Sequence, residues 1–273
     1  MKLKNLFIAF GILILVVACK SNPFTGEKDL NFVSNEQLFP ASFEQYNQFL
    51  SEAEVIRNTE ESRAVKQIGN EIVNAAERYL NANGHQGFMK DFEWEFNLVK
   101  NDQANAFAMP GGKVVVFSGI LDIAKTKSGL ATVMAHEIAH ALADHGAQRM
   151  SAAQLQQVGG AVVGVAASGR SESTQQIIAQ AYGLGTTVGG MLPFSRSHEA
   201  EADRIGLTMM AIAGYDPDEA AELWKRMQQN SGGQAPPEFL STHPSNQTRI
   251  NNLQKWAPEA KAEARKYGVT SFK

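Results

Sequence analysis

Two histidines, His136 and His140, stand four residues apart in the run VMAHEIAHAL, with Glu137 between them. On an α-helix this spacing puts both side chains on one face, about 5–6 Å apart at Cβ. Both imidazoles can then aim a nitrogen at one cation. Zinc suits the pair: it takes nitrogen at roughly 2.0–2.1 Å, and a catalytic site uses three protein ligands plus a water. Glu137 is turned about 100° from His136 around the helix. It stays outside the ligand set and can reach the water. Zinc lowers the pKa of such a water to near 7, and a carboxylate beside it can take the proton. The pattern H-E-x-x-H therefore supplies two ligands and a base. Leu130, Val133, Met134, Ile138, Ala141 and Leu142 surround the motif. The helix is expected to be buried, and a buried imidazole needs a partner.

A third ligand lies elsewhere. The extended pattern with a glycine at 143 and a histidine at 146 fails, because those positions hold Ala143 and Gly146. His145 is expected on the opposite helix face, in a structural role. The segment SRSHEAEADRIGL offers Glu199 as third ligand. Asp203, one turn further on the same face, can accept the free N–H of a ligating imidazole and fix its tautomer. Glu201 falls off that face and reads as solvated or paired with an arginine. His198 is a competing ligand, but choosing it displaces the Glu199–Asp203 pair.

Several elements must position these groups. Ser34–Gln37 reads as a capping box opening a helix. Apolar residues then recur at helical spacing toward Tyr79, including Val65, Ile68, Ile72, Val73 and Ala76. Residues 81–87 form a loop. Phe92, Trp94, Phe96 and Leu98 alternate with polar residues, the pattern of a half-buried strand. Two strands follow, Asn105–Met109 and Lys113–Phe117, turning at Pro110–Gly112. A short helix starts at Ser118 or Gly119. Ser128 is expected to cap a long helix that carries the histidines to about Met150. Ser195 or Ser197 opens the helix of Glu199, which stops at Gly214. Asp218–Gln229 is a further helix. The loop Thr242–Pro244 leads to a last helix from about Gln247. Residues 151–192, dense in Gly and Ala, read as a close-packed helical hairpin, with a mobile lid or a lipid-touching surface as alternatives. Neither of its apolar runs reaches the ~20 residues of a membrane span.

The composition is that of an ordinary globular protein: 273 residues, 44% hydrophobic, with 25 basic against 28 acidic side chains. The formal charge of −3 gives no support to a nucleic-acid partner. Lys2 and Lys4 precede an apolar run from Leu6 to Ala18, the form of a signal peptide over residues 1–18. Cys19, the sole cysteine, ends a stretch that resembles a lipobox. Lipidation there would tether the chain to a membrane. Lys20 stands where an aspartate would retain a lipoprotein in the inner membrane. The expected location is therefore the bacterial envelope, at the outer membrane facing the periplasm. Residues 19–50 read as lipidated terminus and tether, and residues 51–273 as one catalytic domain carrying the 151–192 insertion.

The motifs NPFTGEKDLNFVS, NAFAMPGGKVVVFSGIL, HEIAHALADHGAQRM, SRSHEAEADRIGLTMMAIAGYDP and STHPSNQTRI run from the tether nearly to the end of the chain. Together they resemble the membrane-associated zinc endopeptidases: the Ste-type CAAX prenyl proteases, HtpX, and bacterial enzymes of the LoiP and BepA kind. Size and lipobox look most like the LoiP-type lipoproteins. The resemblance implies a gluzincin-type zinc metallopeptidase, with His136, His140 and Glu199 as ligands of one zinc ion per chain and Glu137 as base. It implies that the strand at Asn105, Ala106, Phe107, Ala108 and Met109 binds an extended peptide by backbone pairing. It also draws in His243, either to stabilise the oxyanion or to occupy the open position of a resting site. Arg249 supports the site or pairs with Asp203.

The expected fold is mainly α with a small sheet of about three strands, in a single domain. The expected reaction is hydrolysis of peptide bonds in misfolded or damaged envelope proteins. The rival expectation is a zinc-stabilised, chaperone-like lipoprotein that binds unfolded proteins without cutting them.

Overall fold

The computed structural model describes residues 19–154, 195–230, 238–243 and 247–273. Residues 1–18, expected to be a signal peptide, and nearly all of the Gly/Ala-rich stretch 151–192 lie outside the described residues. The chain divides into two compact units. The smaller contains an antiparallel pair, β1 (Cys19–Ser21) and β2 (Lys28–Leu30), with Lys20 opposite Asp29. The larger contains Asn22–Gly26, Asn35–Gly146 and Pro193–Lys273, and it holds the whole candidate site.

In the larger unit the sheet has four strands rather than three. They are β3 (Val55–Ile56), β4 (Glu95–Val99), β5 (Ala106–Met109) and β6 (Lys113–Phe117), in the order β3-β4-β6-β5. β4 and β6 run parallel, and the outer strands are antiparallel to their neighbours. β3 has two residues, too few to show an alternating pattern. β4 is buried on both faces over Phe96–Val99, not on one as its alternation predicts. Asn97 is tolerated there because its amide donates to the Tyr46 hydroxyl at 2.8 Å. Gly111 and Gly112 turn β5 into β6 with φ of 85° and 99°, a region glycine enters without a Cβ penalty.

The helical run expected from Ser34 to Tyr79 is two helices, α1 (Asn35–Glu52) and α2 (Glu60–Ala82), separated by β3. α1 opens directly after Ser34, and a capping box is formed at the start of α2. Thr59 accepts from the Ser62 N–H, and the Ser62 hydroxyl oxygen accepts from the Thr59 N–H. α1 buries Leu38, Phe39 and Tyr46, so the expected tether gives way to packed helix from Asn35.

After a 3₁₀ turn (Ser118–Ile120) and a short helix, α3 (Leu121–Ala124), the chain enters α4 (Lys127–Leu142). Thr126, not Ser128, caps α4 by accepting from the Gly129 N–H at 2.9 Å. Every residue from Ser128 to Leu142 is buried, as a helix apolar on all sides must be in a core. α4 packs against α2, β5, α5 (Arg196–Ile212) and α6 (Glu219–Asn230). It ends at Ala143, short of Met150, because Asp144 takes a φ of 55°. Helix resumes at residues 145–154. Ser195 caps α5 through the His198 N–H, and Gly214 stops it at a φ of 88°. α7 (Glu238–Thr242) and α8 (Gln247–Lys266) complete the described chain.

α4 and α5 cross closely. A Cβ on Gly206 would come within 3.1 Å of the Ala135 carbonyl and the His136 nitrogen. This absence of a side chain lets the helix of Glu199 lie against the helix of the two histidines.

Candidate metal centre

The site forms where α4, α5, α7 and α8 meet. α4 brings His136, Glu137 and His140 into the core, and α5 brings Glu199 and Asp203, one turn apart. His243 follows α7, with its N–H donating to the Phe239 carbonyl at 2.9 Å. Its ring stacks on Phe239, centroids 4.6 Å apart. Arg249 enters from the first turn of α8. All of these side chains are buried.

Four of them form one group. The ligating atoms of His136, His140, Glu199 and His243 lie within 4.8 Å of one another. His140 Nε2 is 3.0 Å from His136 Nε2, and His136 Nε2 is 3.2 Å from His243 Nδ1. Glu199 Oε1 lies 2.9 Å from His243 Nδ1 and 3.3 Å from His140 Nε2, and its Oε2 lies 3.4 Å from His136 Nε2. A tetrahedral cation with ligands at 2.0–2.1 Å has ligand–ligand edges of about 3.3–3.4 Å. The shorter separations, 2.9–3.4 Å, are of that size, while the group as a whole spans up to 4.8 Å.

Charge points the same way. Glu137, Glu199 and Asp203 are three buried carboxylates against one guanidinium, Arg249. Burial, and then Arg249, pull the His136 pKa down, but Glu199 and Asp203 outweigh them and push it up to about 9. Glu199 is held far below the ordinary carboxylate range. Burial opposes this, and the His136 charge with hydrogen bonds from His136, His140 and His243 overcomes it. The cluster attracts positive charge, and its donors of two or three imidazoles and a carboxylate fit zinc.

The surrounding groups fix the ligands. Asp203 Oδ1 accepts from His136 Nδ1 at 2.9 Å, which puts the lone pair on Nε2, where Arg249 Nη2 also lies 3.2 Å away. Arg249 donates to Asp203 Oδ2 and Oδ1 at 2.6 and 2.7 Å and to Glu199 Oε2 at 2.6 Å. Its guanidinium lies 3.6 Å over the Trp224 ring. Arg249 thus both pairs with Asp203 and supports Glu199.

Glu137 stands apart from the ligand set. Its Oε2 accepts from the Ala108 N–H of β5 at 3.2 Å. Its Oε1 makes no hydrogen bond and lies 3.4 Å from His243 Nε2. Burial raises its pKa, which suits a group that must collect a proton. β5 is an edge strand. Phe117 donates to the Asn105 carbonyl, so the alternating register turns the polar groups of Ala106 and Ala108 toward the open side.

Two residues sit differently from expectation. His145 is not turned away from the site. The break at Asp144 swings its Nδ1 to 2.8 Å from His140 Nδ1. Glu201 turns inward rather than to solvent, with Oε2 2.9 Å from His145 Nε2. Helical spacing continued through Asp144 hides both relationships. His198 stays out of the ligand group and stacks on His145 at 4.4 Å. Trp224 and Phe239, the aromatic walls, come from apolar stretches with no mark of function.

A buried H-E-x-x-H helix crossed by a glutamate-bearing helix defines a metallopeptidase centre. The chain belongs to peptidase family M48, whose sequence profile matches residues 61–257. It is 41% identical over 178 residues to the mitochondrial metalloendopeptidase OMA1 of Schizosaccharomyces pombe, covering 64% of this chain and 50% of that protein. To the OMA1 metalloendopeptidase of Bos taurus it is 28% identical over 268 residues, 92% of this chain and 49% of that protein. To the β-barrel assembly-enhancing protease of Escherichia coli it is 37% identical over 163 residues, 58% of this chain and 33% of that protein. The chain thus spans from a third to about half of the length of these relatives. The family expected from the motifs is the family found. The expected likeness to LoiP-type lipoproteins is finer than these relatives, which carry the OMA1 and β-barrel assembly names.

Proposed function

We propose that this chain is a zinc-dependent endopeptidase that cleaves unfolded or damaged proteins at the bacterial envelope. The observation that carries the proposal is the buried group of His136, His140, Glu199 and His243 with the unpartnered Oε1 of Glu137 beside it. The names of the relatives, a β-barrel assembly-enhancing protease and mitochondrial metalloendopeptidases, support a protein substrate. The positive start, the apolar run and Cys19 support an exported, lipid-anchored chain of the LoiP type at the outer membrane. Among the described residues no helix is long and apolar enough to cross a membrane.

His136, His140 and Glu199 hold the metal in this reading. A zinc ion there supplies Lewis acidity to the scissile carbonyl and lowers the pKa of water. The Ala106 and Ala108 N–H groups are held by Asn105 and Glu137, so the outward carbonyls of β5 accept from the peptide backbone and stretch it across the site. Glu137 takes the proton of the attacking water at Oε1 and passes it to the leaving nitrogen. The Ala108 N–H holds the other oxygen of that carboxylate in place. His243 stands at the fourth corner of the donor set, with Nε2 toward Glu137. Swung off that corner, it is placed to donate to the developing oxyanion.

Cleavage of casein by the zinc-loaded chain tests the proposal. Glu137→Gln is expected to bind zinc as the parent does and to lose roughly 10²–10⁴-fold in kcat. Equal cleavage by Glu137→Gln would overturn the assignment. One observation favours a second reading: His243 Nδ1 completes a four-donor set, as in a closed structural site. A parent that protects an unfolded protein from aggregation yet never cuts it would identify a chaperone-like binding protein instead.

A further inference from the structure

The two histidines of the motif are backed differently. His136 donates directly to a carboxylate, Asp203, at 2.9 Å. His140 has a histidine behind it. His140 Nε2 faces His136 and Glu199 in the donor group, so its proton belongs on Nδ1. That N–H points at His145 Nδ1, 2.8 Å away, which must accept. The His145 proton therefore sits on Nε2 and donates to Glu201 Oε2 at 2.9 Å. Glu201 Oε1 accepts from Asn22 Nδ2 at 2.7 Å and from the Thr25 hydroxyl at 2.6 Å. The Asn22 amide has one orientation, because its Oδ1 accepts from the Phe24 N–H at 2.9 Å. Each hydrogen bond in the line fixes the donor of the next. His145 is fully buried, Asn22 is buried, and the Glu201 side chain is 8% exposed.

We propose that His145 and Glu201, braced by Asn22 and Thr25, are positioning residues that lock His140 as a metal ligand. The inference rests on the metal-centre reading of the four-residue group. It gives a task to the segment NPFTG, which lies far from the H-E-x-x-H motif in sequence. A carboxylate backs both ligating imidazoles, directly through Asp203 and at one remove through Glu201. Glu201 accepts three hydrogen bonds, from His145, Asn22 and Thr25.

Zinc affinity, read by competition with a chelator, tests the assignment in the full chain. Glu201→Gln and His145→Leu are expected to weaken zinc binding about 10–100-fold. His145→Asn keeps an acceptor near the position of Nδ1 and is expected to stay within about threefold of the parent. In the cobalt-substituted protein the visible bands should shift in His145→Leu and Glu201→Gln but not in His145→Asn. Thr25→Val should weaken zinc binding in the parent and have no effect in the Glu201→Gln background. Should His145→Leu fail to fold, Glu201→Gln and Thr25→Val carry the test. Parent-like affinity and cobalt bands in Glu201→Gln, with one zinc bound by the parent, would overturn the proposal. A parent that binds no zinc would instead overturn the metal centre beneath it.

Discussion

Arg249 grips Asp203 with two parallel hydrogen bonds, Nε to Oδ2 at 2.6 Å and Nη2 to Oδ1 at 2.7 Å. Its remaining arm reaches Glu199, so one guanidinium aligns a proposed metal ligand and the carboxylate behind another. The planar fork suits this geometry, and an ammonium does not. Arg249→Lys should therefore fold but bind zinc roughly tenfold or more weakly. Arg249→Ala leaves two buried carboxylates short of a partner and should cost about 3–5 kcal/mol of stability. Urea unfolding and zinc titration of both variants separate the two effects. Unchanged zinc affinity in Arg249→Lys would reduce Arg249 to a structural ion pair.

The crossing of α4 and α5 gives a second expectation. At Gly206 an added Cβ meets backbone at 3.1 Å, and backbone cannot rotate away. Gly206→Ala gains up to about 1 kcal/mol of helix propensity, which offsets a shift of a few tenths of an ångström. Gly206→Leu has no such offset. It should destabilise the fold by about 1–3 kcal/mol and weaken zinc binding, because Glu199 rides on the displaced helix. Thermal unfolding with and without zinc checks it. A Gly206→Leu protein with the stability and zinc affinity of the parent would show that the helices separate without disturbing the site.

The contrast between Gly206 and the H-E-x-x-H motif shows what the sequence makes legible. His136, Glu137 and His140 are readable because one helix turn fixes their relation. Glu199 and Asp203 are readable by the same periodicity on α5. Gly206 carries no such mark, since its importance lies in a neighbouring helix. The pairing of His145 with Glu201 is hidden for a local reason: helical spacing does not continue through Asp144, where the backbone turns left-handed. The fourth strand escapes because Val55–Ile56 is too short for a pattern. β4 is misread because Asn97, polar in sequence, is buried against Tyr46.

Glu71 predicts a pH dependence of stability. It accepts from Tyr215 at 2.6 Å, Lys273 at 2.8 Å and Gln67 at 2.8 Å, joining α2 to the segment after α5. Burial alone would raise its pKa. The bonds from Lys273, Tyr215 and Gln67 win, and the pKa is lowered from its ordinary 4.5. A lowered folded-state pKa adds stability above the unfolded value, and that stability is lost as pH falls through the folded value. The melting-temperature gap between the parent and Glu71→Gln should thus be full near neutral pH. It should close as the pH drops below about 4.5. A gap that stays constant through the acid range would remove Glu71 from the acid response.

The convergence of His136, His140 and Glu199 on one cation is best tested by anomalous scattering at the zinc edge from crystals of the zinc-loaded chain. The expected result is one peak per chain, about 2.0–2.2 Å from His136 Nε2, His140 Nε2 and a Glu199 carboxylate oxygen. A peak elsewhere, or none among these three side chains, would contradict the account.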